Sequence, residues 1–157
     1  DLFVDQLEDL YDAEKRILDA LPKMAQAATS PQVADAFREH LRQTENQVRR
    51  LDQVFRSIGR EPERETCEGI KGIIEEGEKY TKAKGDDMVR DAALICAAQR
   101  VEHYEMAGYG TARTFAEQLG YDEAVQLLDQ TLQEEKVTDK KLTDLAAQSI
   151  NIKAAHA

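Results

Sequence analysis

Three stretches of this chain repeat apolar residues every three or four positions and set a glutamate in the middle of the repeat. The first seam runs Leu7, Leu10, Glu14, Ile17, Leu21, and another runs Ile95, Gln99, Glu102, Met106, Tyr109. The last runs Val125, Leu128, Leu132, Glu135, Asp139, Leu142. This spacing marks amphipathic helices whose apolar stripe faces a core. No segment has the alternation of a half-buried strand, and no low-complexity stretch or residue-level repeat interrupts the pattern.

Helix ends follow from the residues between the seams. The first helix is expected over about 2–28, with Pro22 kinking or ending it, because proline removes a backbone donor and crowds the preceding turn. Ser30-Pro31 predicts a sharp start to the second, a hydroxyl cap followed by proline at the first helical position. Its apolar positions Val33, Phe37, Leu41, Val48, Leu51, Phe55 and Ile58 carry it to Gly59. A charged connector at 60–65 precedes a short, glycine-weakened helix at about 66–82, with Ile70, Ile73, Ile74 and Tyr80 on one face. The third long helix starts after Gly85, capped by Asp86 or Asp87, and runs to about 118 before Gly120 breaks it. Asp122 caps the fourth, which reaches about 149, and the tail with His156 is expected to fray.

The connections predict the topology. The first two long helices are joined by about two residues, as are the last two, so each pair should form an antiparallel hairpin. A connection of about 26 residues, holding the short helix, separates the hairpins. Two hairpins with one long crossover is the ferritin-like four-helix bundle, an all-α fold filling the whole chain as one domain.

The midpoints of the four long helices lie near residues 15, 44, 102 and 135, and a polar residue occupies each seam there: Glu14, Thr44 with Gln47, Glu102 and Glu135. In hairpins with short loops, equal distance from the turn means equal height, so these side chains should share a layer. A buried carboxylate standing alone is very costly, and is usually paired, protonated or bound to a metal. Acids converging from separate helices therefore suggest a cation, and hard oxygen donors suit iron, manganese or magnesium. Glu105 and Asp139 each offer a further carboxylate one turn on, and Gln47 could supply an amide oxygen. His40, one turn before Thr44 on the same seam, is read as a hydrogen-bonded core histidine in preference to a ligand. His103, about 100° round from Glu102, is read as a flanking residue bonded to a neighbouring helix, and Glu134 as part of a solvated face.

Composition narrows the remaining choices. The chain has 157 residues, 41% of them hydrophobic, enough for one core. No apolar run approaches the roughly 18 residues of a membrane span. A net charge of −10 argues against general nucleic-acid binding and against anionic membrane surfaces. Cys67 and Cys96 stand far apart without metal or redox spacing; Cys96 is expected to be a small buried hydrophobe, and a reducing cytoplasm is the simpler setting. The chain opens at Asp1 without methionine, as expected of a trimmed N-terminus, and no segment looks like a targeting peptide. No nucleophile–base pair, phosphate-cradling loop or HExxH helix is present.

The run DAALICAAQRVEHYEMAGYGTARTFAEQLGY (91–121), then LLDQTLQEEKVTDKKLTDLA (127–146), closely resembles the YciF/YciE family of ferritin-like bacterial stress proteins. The segments DQLEDLYDAEKRILDALPKMA (5–25) and FREHLRQTENQVRRLDQVF (37–55) fit the same pattern, so the resemblance covers nearly the whole chain. It implies a ferritin-like bundle with an added short helix, a homodimer, and a two-metal centre within the bundle, most simply iron. Glu14, Glu102 and Glu135 match the single glutamates that ferritin-like bundles supply from their first, third and fourth helices, and Glu105 matches an extra carboxylate of rubrerythrin-like relatives. Thr44 and Gln47 stand where the second helix would supply Glu and His, and Thr138 where the fourth would supply His. Those departures weaken the expectation of iron oxidation or peroxide removal and leave binding of a hard divalent ion. The rival reading is a non-enzymatic structural or interaction protein, a helical dimer whose metal site has decayed.

Overall fold

The computed structural model describes residues 1–157. Its elements are α1 (Leu2–Ala27), α2 (Pro31–Ser57), α3 (Glu68–Thr81), α4 (Asp87–Leu119) and α5 (Asp122–Leu145), followed by a π-helical turn (Ala146–Ile150) and α6 (Asn151–Ala154). α1 packs on α2 and α4 on α5, forming the two hairpins; α2 faces α5, α1 faces α4, and α3 lies against α4 and α1. The crossover connects the far end of α2 back to the level where α4 begins, and α3 forms part of it. No helix is long and apolar enough to cross a membrane.

The apolar core is in two parts. One holds Ala13, Ile17 and Leu21 of α1, Val33 and Phe37 of α2, Leu94 and Ile95 of α4, and Leu142 and Ile150 at the chain's end. The other holds Phe3, Leu7 and Leu10, Leu51, Val54 and Phe55, Tyr109 and Ala112, and Leu128 and Leu132. Each long helix thus contributes one half of its seam to each part, with a polar layer between them.

Some ends follow the predicted chemistry and others do not. Asp86 caps α4, its carboxylate accepting from the amides of Met88 at 2.7 Å and Val89 at 3.2 Å. Gly120 ends α4 at φ +74°, a left-handed conformation that favours glycine. α1 continues through Pro22 to Ala27, held on either side of the proline by buried Leu21 and Ala25. Ser30 is the N-cap of α2, but its hydroxyl makes no capping bond. Instead, fully buried Asp91 reaches from α4 and accepts from the amides of Thr29 at 2.9 Å and Ser30 at 2.6 Å. Arg90 supports it from the next position, donating to the Ala27 carbonyl at 3.3 Å and the Thr29 hydroxyl at 2.9 Å. One hairpin therefore grips the turn of the other. Asp91→Ala leaves a buried amide without its acceptor and is expected to cost about 2–3 kcal/mol, read as a lowered urea midpoint with an unchanged slope.

A second buried acid anchors the crossover. Asp12 on α1 accepts from Arg16 Nε at 2.6 Å, Arg64 Nε at 2.6 Å and the Cys67 amide at 2.8 Å. Burial pushes its carboxyl up, but these donors outweigh burial and hold it below the ordinary aspartate value. Sequence pattern alone concealed Asp12 and Asp91, because each bonds to groups distant in the chain. The cysteines also differ from expectation: Cys67 is buried and Cys96 exposed, because the apolar stretch around Cys96 lies on a helix whose outer face is open.

Candidate metal centre

The polar layer joins all four long helices. Glu14 from α1, His40, Thr44 and Gln47 from α2, Glu102 and Glu105 from α4, and Glu135 from α5 are all at most 2% exposed. His40, Glu102, Glu105 and Glu135 each bring one ligand-type atom within 4.8 Å of the others. Glu102 and Glu105 are three residues apart on α4, a spacing that sets both on one face. His40 Nδ1 lies 3.0 Å from Glu102 Oε1, and its Nε2 lies 4.0 Å from Glu135 Oε2. Neither contact is aligned as a hydrogen bond, so both imidazole nitrogens remain without a partner.

Side chains behind the cluster set its orientation. Tyr109, fully buried one turn beyond Glu105, donates its hydroxyl to Glu14 Oε1 at 2.5 Å. Gln47 Nε2 donates to Glu135 Oε1 at 2.5 Å and to Glu134 Oε2 at 3.2 Å. Glu134 is in turn held in a two-pronged pair by Arg50, with contacts of 3.0 and 2.9 Å. It is therefore part of a built network and not the freely solvated residue its helical position suggested. Thr44 satisfies its hydroxyl on the His40 carbonyl at 3.0 Å, and Thr138 donates to Gln43 at 2.9 Å, so neither aims a donor into the layer.

The sequence-predicted residues divide accordingly. Glu102, Glu105 and Glu135 come together, and Glu14 joins them at the Glu105 and Glu135 side. Gln47 presents its amide nitrogen to Glu135, while its oxygen is buried without a partner. Asp139 is nearer the surface, accepting from Gln99 at 3.1 Å and lying 3.2 Å from Nε2 of exposed His103. His103 thus flanks the site and bonds across to α5. His40, read from sequence as a core histidine, is a member of the cluster; its seam position one turn from Thr44 was the signal available.

The electrostatics are unusual. Burial, with the charge of Glu135 next, pushes the Glu14 carboxyl up to about 8 against the Tyr109 bond. Burial likewise raises Glu102 to about 8, with the Glu14 and Asp139 charges adding to it. Glu105 and Glu135 are raised well above the ordinary glutamate value, first by burial and then by neighbouring carboxylates. Nine buried side-chain atoms in the protein lack a hydrogen-bond partner, and all belong to Glu14, His40, Gln47, Glu102, Glu105 and Glu135. Buried polar groups are almost always satisfied, so their concentration in one layer requires protons, water or cations between them. The donor set, carboxylate oxygen with one imidazole nitrogen, could hold a metal ion.

Residues 1–155 match the family described as a domain of unknown function, DUF892. The chain is 48% identical to Protein YciF of Escherichia coli (strain K12) over 155 residues, 98% of this chain and 93% of that protein. The crystal structure of the E. coli stress protein YciF superposes with a TM-score of 0.93, covering 96% of both chains. YcfI of Rhodopseudomonas palustris, 42% identical, superposes at 0.88 over 90% of both chains. A protein from Xanthomonas campestris pv. campestris superposes at 0.76 with 19% identity, covering 98% of this chain and 94% of that one, a likeness of fold alone. By sequence along nearly its whole length, this chain belongs to the DUF892 family, together with YciF.

Proposed function

We propose that this protein binds two divalent ions per subunit, iron or manganese by preference, in the layer formed by Glu14, His40, Glu102, Glu105 and Glu135. The observation that carries this reading is the set of nine orphaned buried atoms, eight of them on these five residues and the ninth on neighbouring Gln47. Charge supports a pair of ions: Glu14, Glu102, Glu105 and Glu135 supply four buried carboxylates, which two divalent ions neutralise. His40, Glu102, Glu105 and Glu135 would hold one ion, and Glu14 with Glu105 and Glu135 would hold the other. Tyr109 and Gln47 keep the Glu14 and Glu135 carboxylates turned inward. When bound, such ions supply Lewis acidity and, for iron or manganese, one-electron redox capacity. By analogy with the E. coli stress protein, the setting is bacterial stress physiology in a reducing cytoplasm, in which both cysteines remain free. Exposed Val89, Val137 and Ile152 are suited to contact with a second copy in a homodimer.

The second reading is a helical structural or interaction protein in which the layer persists as neutral acids. Gln47 favours it, because it turns toward Glu135 its amide nitrogen, which cannot ligate a cation, and leaves its oxygen without a partner. Protein purified without chelator and titrated anaerobically with ferrous ion or with Mn(II) decides between them. Saturation at two ions per chain is expected; failure to bind either ion above background would leave only the structural reading.

A further inference from the structure

α3 does more than span the crossover. Between α1, α3 and α4 lies a narrow cleft of ≈ 30 Å³, walled by Leu21, Ile73, Ile74, Ala97 and Ala98, with His40 at its inner end. Lys23 of α1 and Glu78 of α3 stand at its solvent side, 3.3 Å apart. Gly77 of α3 lets the two helices approach: a Cβ there would meet the Ala97 Cβ at 3.1 Å. The cleft therefore has a charged rim, mostly apolar walls and the His40 ring in its lining.

We propose that this cleft admits and holds a small apolar molecule of diatomic size, delivering it to the His40 face of the layer. Size sets the upper limit, since an apolar cavity that takes benzene measures roughly 150 Å³, while one water-sized molecule needs on the order of 10–15 Å³. Chemistry sets the polarity. A buried water requires two to four polar partners, and the imidazole nitrogens of His40 are directed at Glu102 and Glu135, not along the apolar wall. A hydrated cation gains nothing from this lining, so the ions themselves must arrive elsewhere. The functional meaning of the cleft rests on the layer being a metal centre, but the binding of an apolar guest does not.

Xenon is the probe for the guest, applied to metal-free protein by crystal pressurisation and by xenon-129 exchange in solution. Xenon is expected beside Ala97 and Ala98, and Ala97→Leu should reduce its binding at least tenfold. With ferrous ion loaded, association of nitric oxide should slow at least fivefold in the same variant while Mn(II) affinity stays within twofold of the parent. Gly77→Ala, which narrows the same passage from the α3 side, should give smaller changes of the same sign and serves if Ala97→Leu does not fold. Absence of xenon from the cleft of the parent overturns the proposal. So does an unchanged nitric oxide rate in a variant that no longer takes xenon. A protein that takes xenon in the cleft but binds no ferrous ion would retain the guest site and overturn the metal reading and the delivery role together.

Discussion

Replacing Glu102 and Glu135 together by glutamine is expected to weaken Mn(II) or ferrous binding by at least about 100-fold while making the metal-free protein more stable. The two effects share one cause. Both side chains are fully buried and each has at least one oxygen without a partner, so in the absence of cations they are a burden on the fold. Glutamine keeps their length and shape, removes the ionisable group, and can still accept the Gln47 amide at position 135. Relief of mutual repulsion and of charge burial should contribute about 1–3 kcal/mol above pH 7, seen as a higher melting temperature in chelator. Calorimetric titration reads the affinity, and thermal melts with and without Mn(II) read the stability. A variant that binds metal like the parent would remove Glu102 and Glu135 from the centre. One that melts lower than the parent in chelator would show that these carboxyls support the metal-free fold.

The second large effect is a pH dependence that metal should reverse. Glu14 and Glu102 have folded-state values raised to about 8 from 4.5. Below 4.5 these groups are protonated in both folded and unfolded chains. Between 4.5 and 8 the folded state keeps protons that the unfolded state has released, so stability falls as pH rises, and above 8 the loss is complete. Each group contributes a slope of up to about 1.4 kcal/mol per pH unit in that window. Metal-free protein is therefore expected to melt progressively lower from pH 5 to pH 8. Cations compete with those protons, so metal affinity should rise over the same range and binding at pH 7 should release protons. Melting curves in chelator and in excess Mn(II), together with titrations in buffers of different ionisation enthalpy, measure both. A metal-free melting temperature that does not change across pH 5–8 would mean that these acids are not held neutral inside the fold.

The placement of the layer explains how a small bundle carries so much buried polarity. It lies between two apolar clusters, each drawing on all four long helices. The helices are thus fixed at both ends, and the strain of unpaired carboxyls is confined to a level that cannot open without separating both halves of the core. Tyr109 illustrates the join: its ring packs in one cluster while its hydroxyl reaches Glu14.

Local patterning settled the four long helices and the crossover helix, but not the chain's end, where a π-helical turn and α6 follow Leu145 in place of the expected frayed tail. The three- and four-residue recurrence, Gly120 and the Ser30-Pro31 step are short-range features, and the short turns fixed the hairpins. The height of Glu14, Glu102 and Glu135 was also legible, because in antiparallel rods height depends only on distance from the turn. The angular and second-layer facts required the folded protein. His40 counts as a member of the cluster only when α2 is rotated against α4 and α5, bringing its ring beside Glu102. Asp139 lies on the same seam as Glu135 but faces Gln99 and His103, because a small drift per turn carries it toward the surface. Asp12, Asp91 and Glu134 look like any helical acid in sequence, and only contacts 50 to 90 residues away reveal their partners. Sequence by itself thus determined periodicity, chain reversal and axial level, each a property of the local backbone. Tertiary structure decided which donors converge, which acids are held neutral and where a guest can reach them, because those depend on how separate helices are turned against one another.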